Sequence, residues 1–328
     1  MIHHLFDKMV AAHSDRIVLA QGERQLSYFE LHVYVEWMAR YFQSLGVQPG
    51  HRVAIFMPKV HEFVISILGL LRLQGIAVPL TIDLDPAKIR ADLEAAKVHA
   101  VITLPHYREL LMEVLCSSPN GAWPLAKLPL AIFEEDNIAT SRGSALPQLH
   151  GALSKNLMAN GKDKNAPSNG RPHAENGVEE SDCAAAMFFY ARDGRLQAPA
   201  LYSHHALLDE AEKLAKLSQL TCDDCIFSEL SFAQAQGLVA GFLVALITGA
   251  KMVLAETDSL PDLGKIFWQE RVTVFSGALA RFGQLAEAVR QKLSGTHALR
   301  WFWCNDNSLS PGVEEVLRQK FGAAIQRL

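Results

Sequence analysis

The sequence predicts an α/β fold in which parallel strands alternate with crossover helices. Short β-rich segments recur about every thirty residues and are separated by segments with helical apolar spacing, which is the pattern of strand–helix–strand units. Apolar residues make up 49% of the chain and charged residues 20%, so the chain can bury sizeable cores. Its length of 328 residues favours two packed lobes over one simple module.

Composition and apolar spacing define the individual elements. A run of apolar residues at three- and four-residue spacing predicts a helix over 60–73, and Asp85 followed by Pro86 predicts the start of the next helix. Later in the chain, helices are predicted at 205–217 and 237–248. Strands are predicted at 52–57, 76–80, 98–103, 129–133, 184–190, 225–230, 251–255, 272–275 and 299–303.

The alternation of strands and helices is interrupted once. The segment 151–181 contains five Asn and four Gly and few large apolar residues, which is typical of a flexible linker. We therefore expect a first α/β subdomain at 1–150, a linker at 151–181 and a second α/β subdomain at 182–328.

Charge and apolar patterning exclude several classes of protein. The net charge of −4 provides no polycationic surface, so we expect no binding to nucleic acid. The longest apolar run, 237–250, is too short to cross a bilayer, and the N-terminus shows no secretory signal. Five cysteines do not form a disulfide framework. These features predict a cytoplasmic protein without a membrane span.

Several segments, in order, resemble the N-terminal domain of the adenylate-forming superfamily, which includes acyl- and aryl-CoA synthetases and the adenylation domains of peptide synthetases. The first are Leu-Ser-Tyr-Phe-Glu-Leu at 26–31, Leu-Gly-Val-Gln-Pro-Gly at 45–50, and Gly69, Gly75 and Pro79. Later matches are the strand at 184–190, Ser203-His204, Gly237-Leu238 and Gly-Ala-Lys at 249–251. The resemblance implies two Rossmann-like parallel-sheet subdomains without most of the barrel subdomain and the C-terminal domain.

The resemblance also shows where this chain departs from the family. The family's phosphate loop reads Tyr-Thr-Ser-Gly-Thr-Thr-Gly-x-Pro-Lys-Gly, and its backbone N–H groups, hydroxyls and lysine hold the phosphates of ATP. Here the stretch at 189–199 is Phe-Tyr-Ala-Arg-Asp-Gly-Arg-Leu-Gln-Ala-Pro, without the hydroxyls and the lysine. The remnant nucleotide site implied by the resemblance consists of Arg192, Asp193, Gly194, Arg195, Ser203 and His204. One alternative is that the two arginines replace the lysine, and another is that they line a solvated turn.

Two further positions of the implied cleft also differ from the family. Gln234, ahead of Gly237, stands where many CoA ligases carry a histidine beside the acyl pocket. The family's Gly-Gly-Ala turn beside the adenine corresponds to Asn305, Asp306 and Asn307. Moreover, the sequence ends at Leu328, ahead of the family's Tyr-Gly-x-Thr-Glu motif and its catalytic lysine. We therefore assign no catalytic residue.

Three hypotheses about function follow from these departures. The first is a synthetase-like pseudoenzyme that is not catalytic alone and acts as a binding, regulatory or partner subunit. The second is the large-domain half of a split carboxylate-adenylating ligase, in which case ATP or AMP and Mg²⁺ would be its cofactors. The third is a purely structural subunit. The second and third hypotheses imply an open sheet edge and apolar surface, which normally become covered, so we expect a protein partner or homo-oligomer. An acyl or aryl carboxylate is the expected small ligand.

Other motifs favour no separate chemistry. The Cys-Asp-Asp-Cys segment at 222–225 has the spacing of half a zinc or redox site, but no second pair lies near it. The pairs His3-His4 and His204-His205 have no carboxylate or cysteine at metal-binding spacing. We therefore predict no metal site.

Overall fold

The computed structural model describes residues 1–82, 85–116, 128–133, 184–190, 196–255, 259–290, 298–304 and 309–328. The α-helices of these residues are α1 (Ile2–His13), α2 (Tyr28–Ser44), α3 (His61–Arg72), α4 (Pro86–Ala96), α5 (Arg108–Cys116), α6 (His204–Leu217), α7 (Ala235–Leu238), α8 (Val244–Thr248), α9 (Leu260–Gln269), α10 (Leu279–Arg290) and α11 (Pro311–Phe321). A π-helical segment, Val239–Leu243, joins α7 to α8, and a 3₁₀ turn at Pro105–Tyr107 precedes α5.

The strands form two sheets. They are β1 (Ile17–Gln21), β2 (Arg24–Ser27), β3 (Arg52–Phe56), β4 (Ile76–Pro79), β5 (Ala100–Thr103), β6 (Leu130–Ile132), β7 (Ala184–Tyr190), β8 (Leu196–Ser203), β9 (Cys225–Ser228), β10 (Lys251–Val253), β11 (Val274–Gly277), β12 (Trp301–Cys304) and β13 (Ala324–Arg327). The first sheet has the order β6-β5-β3-β4-β7-β8 and is parallel except for β8. The second has the order β13-β12-β11-β9-β10-β1-β2 and is parallel except for β2. The fold is therefore the predicted α/β class.

Helices cover both faces of each sheet, as parallel sheets require. The largest core cluster contains residues of both sheets, among them Leu19 and Ile226 on one side and Ile55 on the other. Helices α2 and α3 and the segment from α7 to α8 contribute to this cluster, so they lie between the sheets. A second cluster packs α9, α10 and α11 on the outer face of the second sheet, and a third packs α4 and α5 on the outer face of the first.

Local sequence signals set several helix starts. Ser27 and Glu30 form a capping box at α2, in which the Ser27 Oγ accepts from the Glu30 N–H at 3.2 Å. The predicted start of α4 is confirmed, since the Asp85 carboxylate accepts from the Ala87 N–H at 2.9 Å and Pro86 is the first helical residue. Within the described residues, no helix is long and apolar enough to cross a membrane.

The sheets do not divide at the predicted linker. Strands β1 and β2, from the expected first subdomain at 1–150, belong to the sheet of β9 to β13, and β7 and β8, from the expected second at 182–328, belong to the sheet of β3 to β6. Each sheet thus takes strands from both sides of the segment 151–181, which lies outside the described residues. The domain boundaries themselves stay a prediction.

Candidate functional site

A cleft of about 690 Å³ opens between the two sheets. Its walls are the segments that directly follow the carboxyl ends of β3, β4, β9, β10 and β11. Ligands of open parallel sheets bind at such an edge, and the volume is in the range of small-molecule sites. The lining residues are Met57, Pro58, Lys59, Phe63, Leu80, Thr81, Ile82, Glu229, Leu230, Ser231, Phe232, Ala233, Ala255, Ala278, Ala280, Arg281 and Gln284.

An ion pair lies in the wall of this mainly apolar cleft. The Nε of Arg281 donates to Oε2 of Glu229 at 2.7 Å, and the two side chains are only 15% and 13% exposed. The Nη1 of Arg281 also donates to Oε1 of Gln284, one turn further along α10, at 3.1 Å. The guanidinium is thus held in place from two sides.

Lys59 places a second cation at the same end of β9. It follows β3 in the first sheet, is 7% exposed, and donates from Nζ to the carbonyl oxygen of Ser228 in the second sheet. The ammonium lies 5.9 Å from the ring centroids of both Phe227 and Phe232, a distance at which cation–π attraction contributes. Lys59 therefore connects the two sheets at the cleft. Together with Glu229 and Arg281 it gives the described lining side chains a net charge of +1.

The wall next to α7 depends on glycine. A Cβ added to Gly237 would lie 2.0 Å from the carbonyl oxygen of Ser231, so the first turn of α7 can approach the loop at 229–233 only because position 237 has no side chain. Gly241, in the π-helical segment, similarly allows the approach of Phe232 and Met252. These contacts fix the loop that supplies five lining residues of the cleft.

The structure separates the site residues predicted from the sequence. Ser203 is the N-cap of α6, and its Oγ accepts from the Ala206 N–H at 3.1 Å. The buried His204 faces α1, where its Nδ1 accepts from the Ile2 N–H at 3.3 Å. Burial, with the neighbouring His3, lowers the pKa of His204 to about 4, so it is neutral at pH 7. Both residues make the contacts of a helix start.

The other predicted residues lie next to the cleft or outside the described part of the chain. Gln234 occupies the N-cap position of α7 without a side-chain capping hydrogen bond and directly follows the lining segment 229–233, and Gly237 packs against that segment. The loop residues Arg192 to Arg195 and the turn Asn305 to Asn307 lie outside the described residues. Their roles in nucleotide or acid binding stay predictions.

The strands on either side of the segment that corresponds to the family's phosphate loop limit the number of residues between them. Strand β7 ends at Tyr190 and β8 begins at Leu196, so the residues expected to form the loop at 196–199 lie instead in a strand antiparallel to β7. Only the five residues of 191–195, Ala-Arg-Asp-Gly-Arg, connect the two strands. Because β7 is parallel to β4, whose end lines the cleft, this connection begins at the cleft edge of the sheet.

The Cys-Asp-Asp-Cys segment has a structural role. Asp224 is 3% exposed, and its carboxylate accepts from the Thr221 N–H at 2.8 Å, the Thr273 hydroxyl at 2.7 Å and the Arg300 Nη1 at 2.8 Å. Burial raises the pKa of the Cys225 thiol to about 12, so it is not a thiolate at neutral pH. Among the described residues, no group of three His, Cys, Asp or Glu side chains is arranged to hold a metal ion.

The three charged residues of the cleft were missed by the sequence analysis. Lys59 carried one usable signal, because it comes two residues after the predicted strand at 52–57 and strand ends of this fold bind ligands. Glu229 lay inside the predicted strand at 225–230, which ends at Ser228, and Arg281 lies in a helix that was not predicted.

The sequence has counterparts among known protein families. The family model described as AMP-binding enzyme matches residues 6–189, which is more than half of the chain. The chain belongs to the AMP-binding, adenylate-forming superfamily. The predicted resemblance is therefore confirmed.

Relatives within this superfamily differ in activity. A linear gramicidin synthase polypeptide of Brevibacillus parabrevis is 30% identical over 90% of this chain and 3% of its own length. A 3-[(3aS,4S,7aS)-7a-methyl-1,5-dioxo-octahydro-1H-inden-4-yl]propanoyl:CoA ligase of Rhodococcus jostii is 24% identical over 82% of this chain and 50% of its own length. The chain thus spans half or less of these two curated relatives.

The fold of the superfamily is also confirmed by solved structures. ATP-bound MatB from Rhodopseudomonas palustris superposes with a TM-score of 0.74 at 20% identity, covering all of this chain and 59% of MatB. The family model that matches the chain is that of AMP-binding enzymes, and the superposed MatB structure is bound to ATP. The described lining residues suit an anion better than Mg²⁺, since two of their three charges are positive and the carboxylate of Glu229 is bound to Arg281.

Proposed function

We propose that this chain is a non-catalytic, ligand-binding member of the adenylate-forming superfamily. In this proposal its cleft holds an acyl or aryl carboxylate, and the chain alone does not activate that acid with ATP. The observation that carries the proposal is the combination of a cleft of about 690 Å³ with a five-residue β7–β8 connection lacking Ser, Thr and Lys. The space for an acid is retained, while the groups that hold the ATP phosphates in the family are replaced.

Energetics support the loss of the ATP-dependent step. Each charge-assisted hydrogen bond to a phosphate is worth about 1.5–3 kcal/mol, so losing several costs about three orders of magnitude or more in transition-state stabilisation. If this connection corresponds to the family's phosphate loop, the negative charge of Asp193 would also repel a polyphosphate. By contrast, Lys59 and Arg281 leave the cleft with a net positive charge that attracts a carboxylate.

A titration with a non-hydrolysable acyl- or aryl-adenylate analogue tests ligand binding. We expect the purified chain to bind the analogue, and Ala278→Trp, which fills the cleft from an exposed lining position, to abolish this binding. Ala12→Trp, at an exposed position of α1, is the matched control and should bind like the unchanged chain. Equal binding by both variants would place the ligand elsewhere, and no binding by any of the three would leave the structural-subunit hypothesis.

The split-ligase hypothesis is kept as a second candidate, in which Arg192 and Arg195 take the place of the family's lysine. It predicts that a second polypeptide with the remaining family motifs restores ATP–pyrophosphate exchange. We expect no exchange with the chain alone. Exchange that appears only when such a polypeptide is added would replace the pseudoenzyme proposal with the split enzyme.

A further inference from the structure

The wall of the cleft contains a partly buried ion pair that a purely apolar ligand would contact. Glu229 and Arg281 are joined at 2.7 Å and are 13% and 15% exposed, while most of the other lining residues are apolar. Charges shielded from water are stable only where hydrogen bonds satisfy them, so a ligand in this cleft meets polar groups that need hydrogen-bond partners as well as apolar surface. This mixed lining favours some ligands over others.

The ion pair is fixed by the ends of two strands. Glu229 directly follows β9, and its backbone N–H donates to the carbonyl oxygen of Ser276 in β11 at 2.8 Å. Arg281 lies in the first turn of α10, and its Nη1 also donates to the Oε1 of Gln284 at 3.1 Å, which holds the guanidinium at a second point. The pair is therefore positioned before any ligand arrives, which lowers the entropy cost of forming a hydrogen bond to it.

Displacement of the pair by a ligand is unfavourable. A ligand carboxylate that took the guanidinium from Glu229 would leave the partly buried Glu229 carboxylate without its partner, which is unfavourable. A ligand therefore adds to the pair and leaves it intact. An alkyl or unsubstituted aryl body would displace water from the ion pair and leave the hydrogen bonds of that water unreplaced. A hydroxyl or amino substituent would replace those hydrogen bonds with its own.

We propose that Glu229 and Arg281 select acids whose acyl or aryl body carries a hydrogen-bonding substituent, such as a hydroxyl group, over acids with a plain hydrocarbon body. This inference rests on the proposed ligand-binding function and assigns the ion pair as its specificity determinant. The carboxylate end of the ligand is not the selecting feature, since every acid shares it. Glu229, after β9, and Arg281, in α10, distinguish between acids by their hydrogen bonds to the substituent.

Matched sulfamoyl-adenylate analogues of 3-hydroxybenzoate and 3-methylbenzoate test this assignment, because hydroxyl and methyl groups have similar size. We expect the unchanged chain to bind the hydroxyl analogue about ten-fold more tightly, the value of one well-placed hydrogen bond. The double variant Glu229→Leu/Arg281→Met should reverse the preference. Replacing a buried ion pair with apolar residues of similar volume is often neutral for stability, so this variant is expected to fold.

The control removes an ion pair of the same chemistry far from the cleft. Glu314→Leu/Arg318→Met deletes the 2.9 Å pair on the surface of α11 and should keep the preference of the unchanged chain. Equal binding of the two analogues, or a hydroxyl preference that survives in the Glu229/Arg281 variant, overturns the inference but leaves the ligand-binding function standing. Failure of both analogues to bind the unchanged chain overturns the proposed function and the inference together.

Discussion

The carboxylate of Asp224 is expected to stabilise the second sheet far more than its neighbour Asp223. Asp224 ties the starts of β9, β11 and β12 together through hydrogen bonds from Thr221, Thr273 and Arg300 at 2.7–2.8 Å. Asp223 is 84% exposed on its side chain and meets Arg16 at 3.1 Å. The two residues are adjacent in the sequence, so Asp224→Asn and Asp223→Asn form a matched pair of substitutions.

The magnitude follows from the hydrogen bonds. A hydrogen bond to a charged group is worth about 1 kcal/mol more than a neutral one, and Asp224→Asn weakens three of them. The Arg300 side chain is 44% exposed, so solvent screening reduces its share. We expect Asp224→Asn to lower the free energy of unfolding by about 2 kcal/mol and Asp223→Asn by less than about 0.5 kcal/mol.

Urea-induced unfolding measures this difference. Tryptophan fluorescence follows this unfolding, since two of the five tryptophans, Trp301 and Trp303, lie in β12 and Trp303 is buried. If the two variants differ by less than about 0.5 kcal/mol, the Asp224 network does not stabilise the sheet and the reasoning is refuted. A large effect of Asp223→Asn alone would instead favour a role for the Cys-Asp-Asp-Cys segment at the surface.

Two more predictions follow from glycine packing and from buried histidines. Gly237→Ala should lower the free energy of unfolding by about 3 kcal/mol and weaken analogue binding, because its Cβ would meet the Ser231 carbonyl. Gly241→Ala, whose Cβ meets the flexible end of Met252, should lower the free energy of unfolding by less in the same urea assay. Burial lowers the pKa of His61 and His204 to about 4. Since the unfolded chain binds these protons from about pH 6.5 downward, stability should fall from pH 6.5 to 4 by up to about 1.4 kcal/mol per pH unit for each histidine. His61→Gln should weaken the pH dependence of the free energy of unfolding. An unchanged pH profile in this variant would contradict the assignment of that dependence to buried, neutral histidines.

The fold was largely predictable because its central strands carry local signals. Strands β3, β4 and β5 are short β-rich runs, and α3 shows clear apolar spacing. The ends of all four elements were therefore predicted within two residues. The hairpin of β1 and β2 was not predicted, since β1 pairs with β10, more than two hundred residues along the chain. Sequence periodicity carries no information about such distant pairing, so it could not show that each sheet combines both ends of the chain.

The candidate site was less predictable for the same reason. Gln234 and Gly237 were found from a resemblance, and both lie at the helix next to the cleft. The ion pair joins residues 52 positions apart, and Lys59 reaches a carbonyl 169 positions away. The pairing of β9 with β11 brings Glu229 close to Arg281, and the packing of the two sheets brings Lys59 to the same end of β9. Ser203 and His204 matched the family motif, yet their described contacts are a helix cap and a contact with α1.

The central claim is that the chain retains an acid-binding cleft while its phosphate-binding groups are replaced. Calorimetric titration of the purified chain with Mg·ATP, alongside the adenylate analogue, tests it most directly. The account predicts heat of binding with the analogue and none with Mg·ATP at micromolar concentrations. Micromolar binding of Mg·ATP would contradict it, and would indicate that Arg192 and Arg195 hold the phosphates in place of the family's lysine.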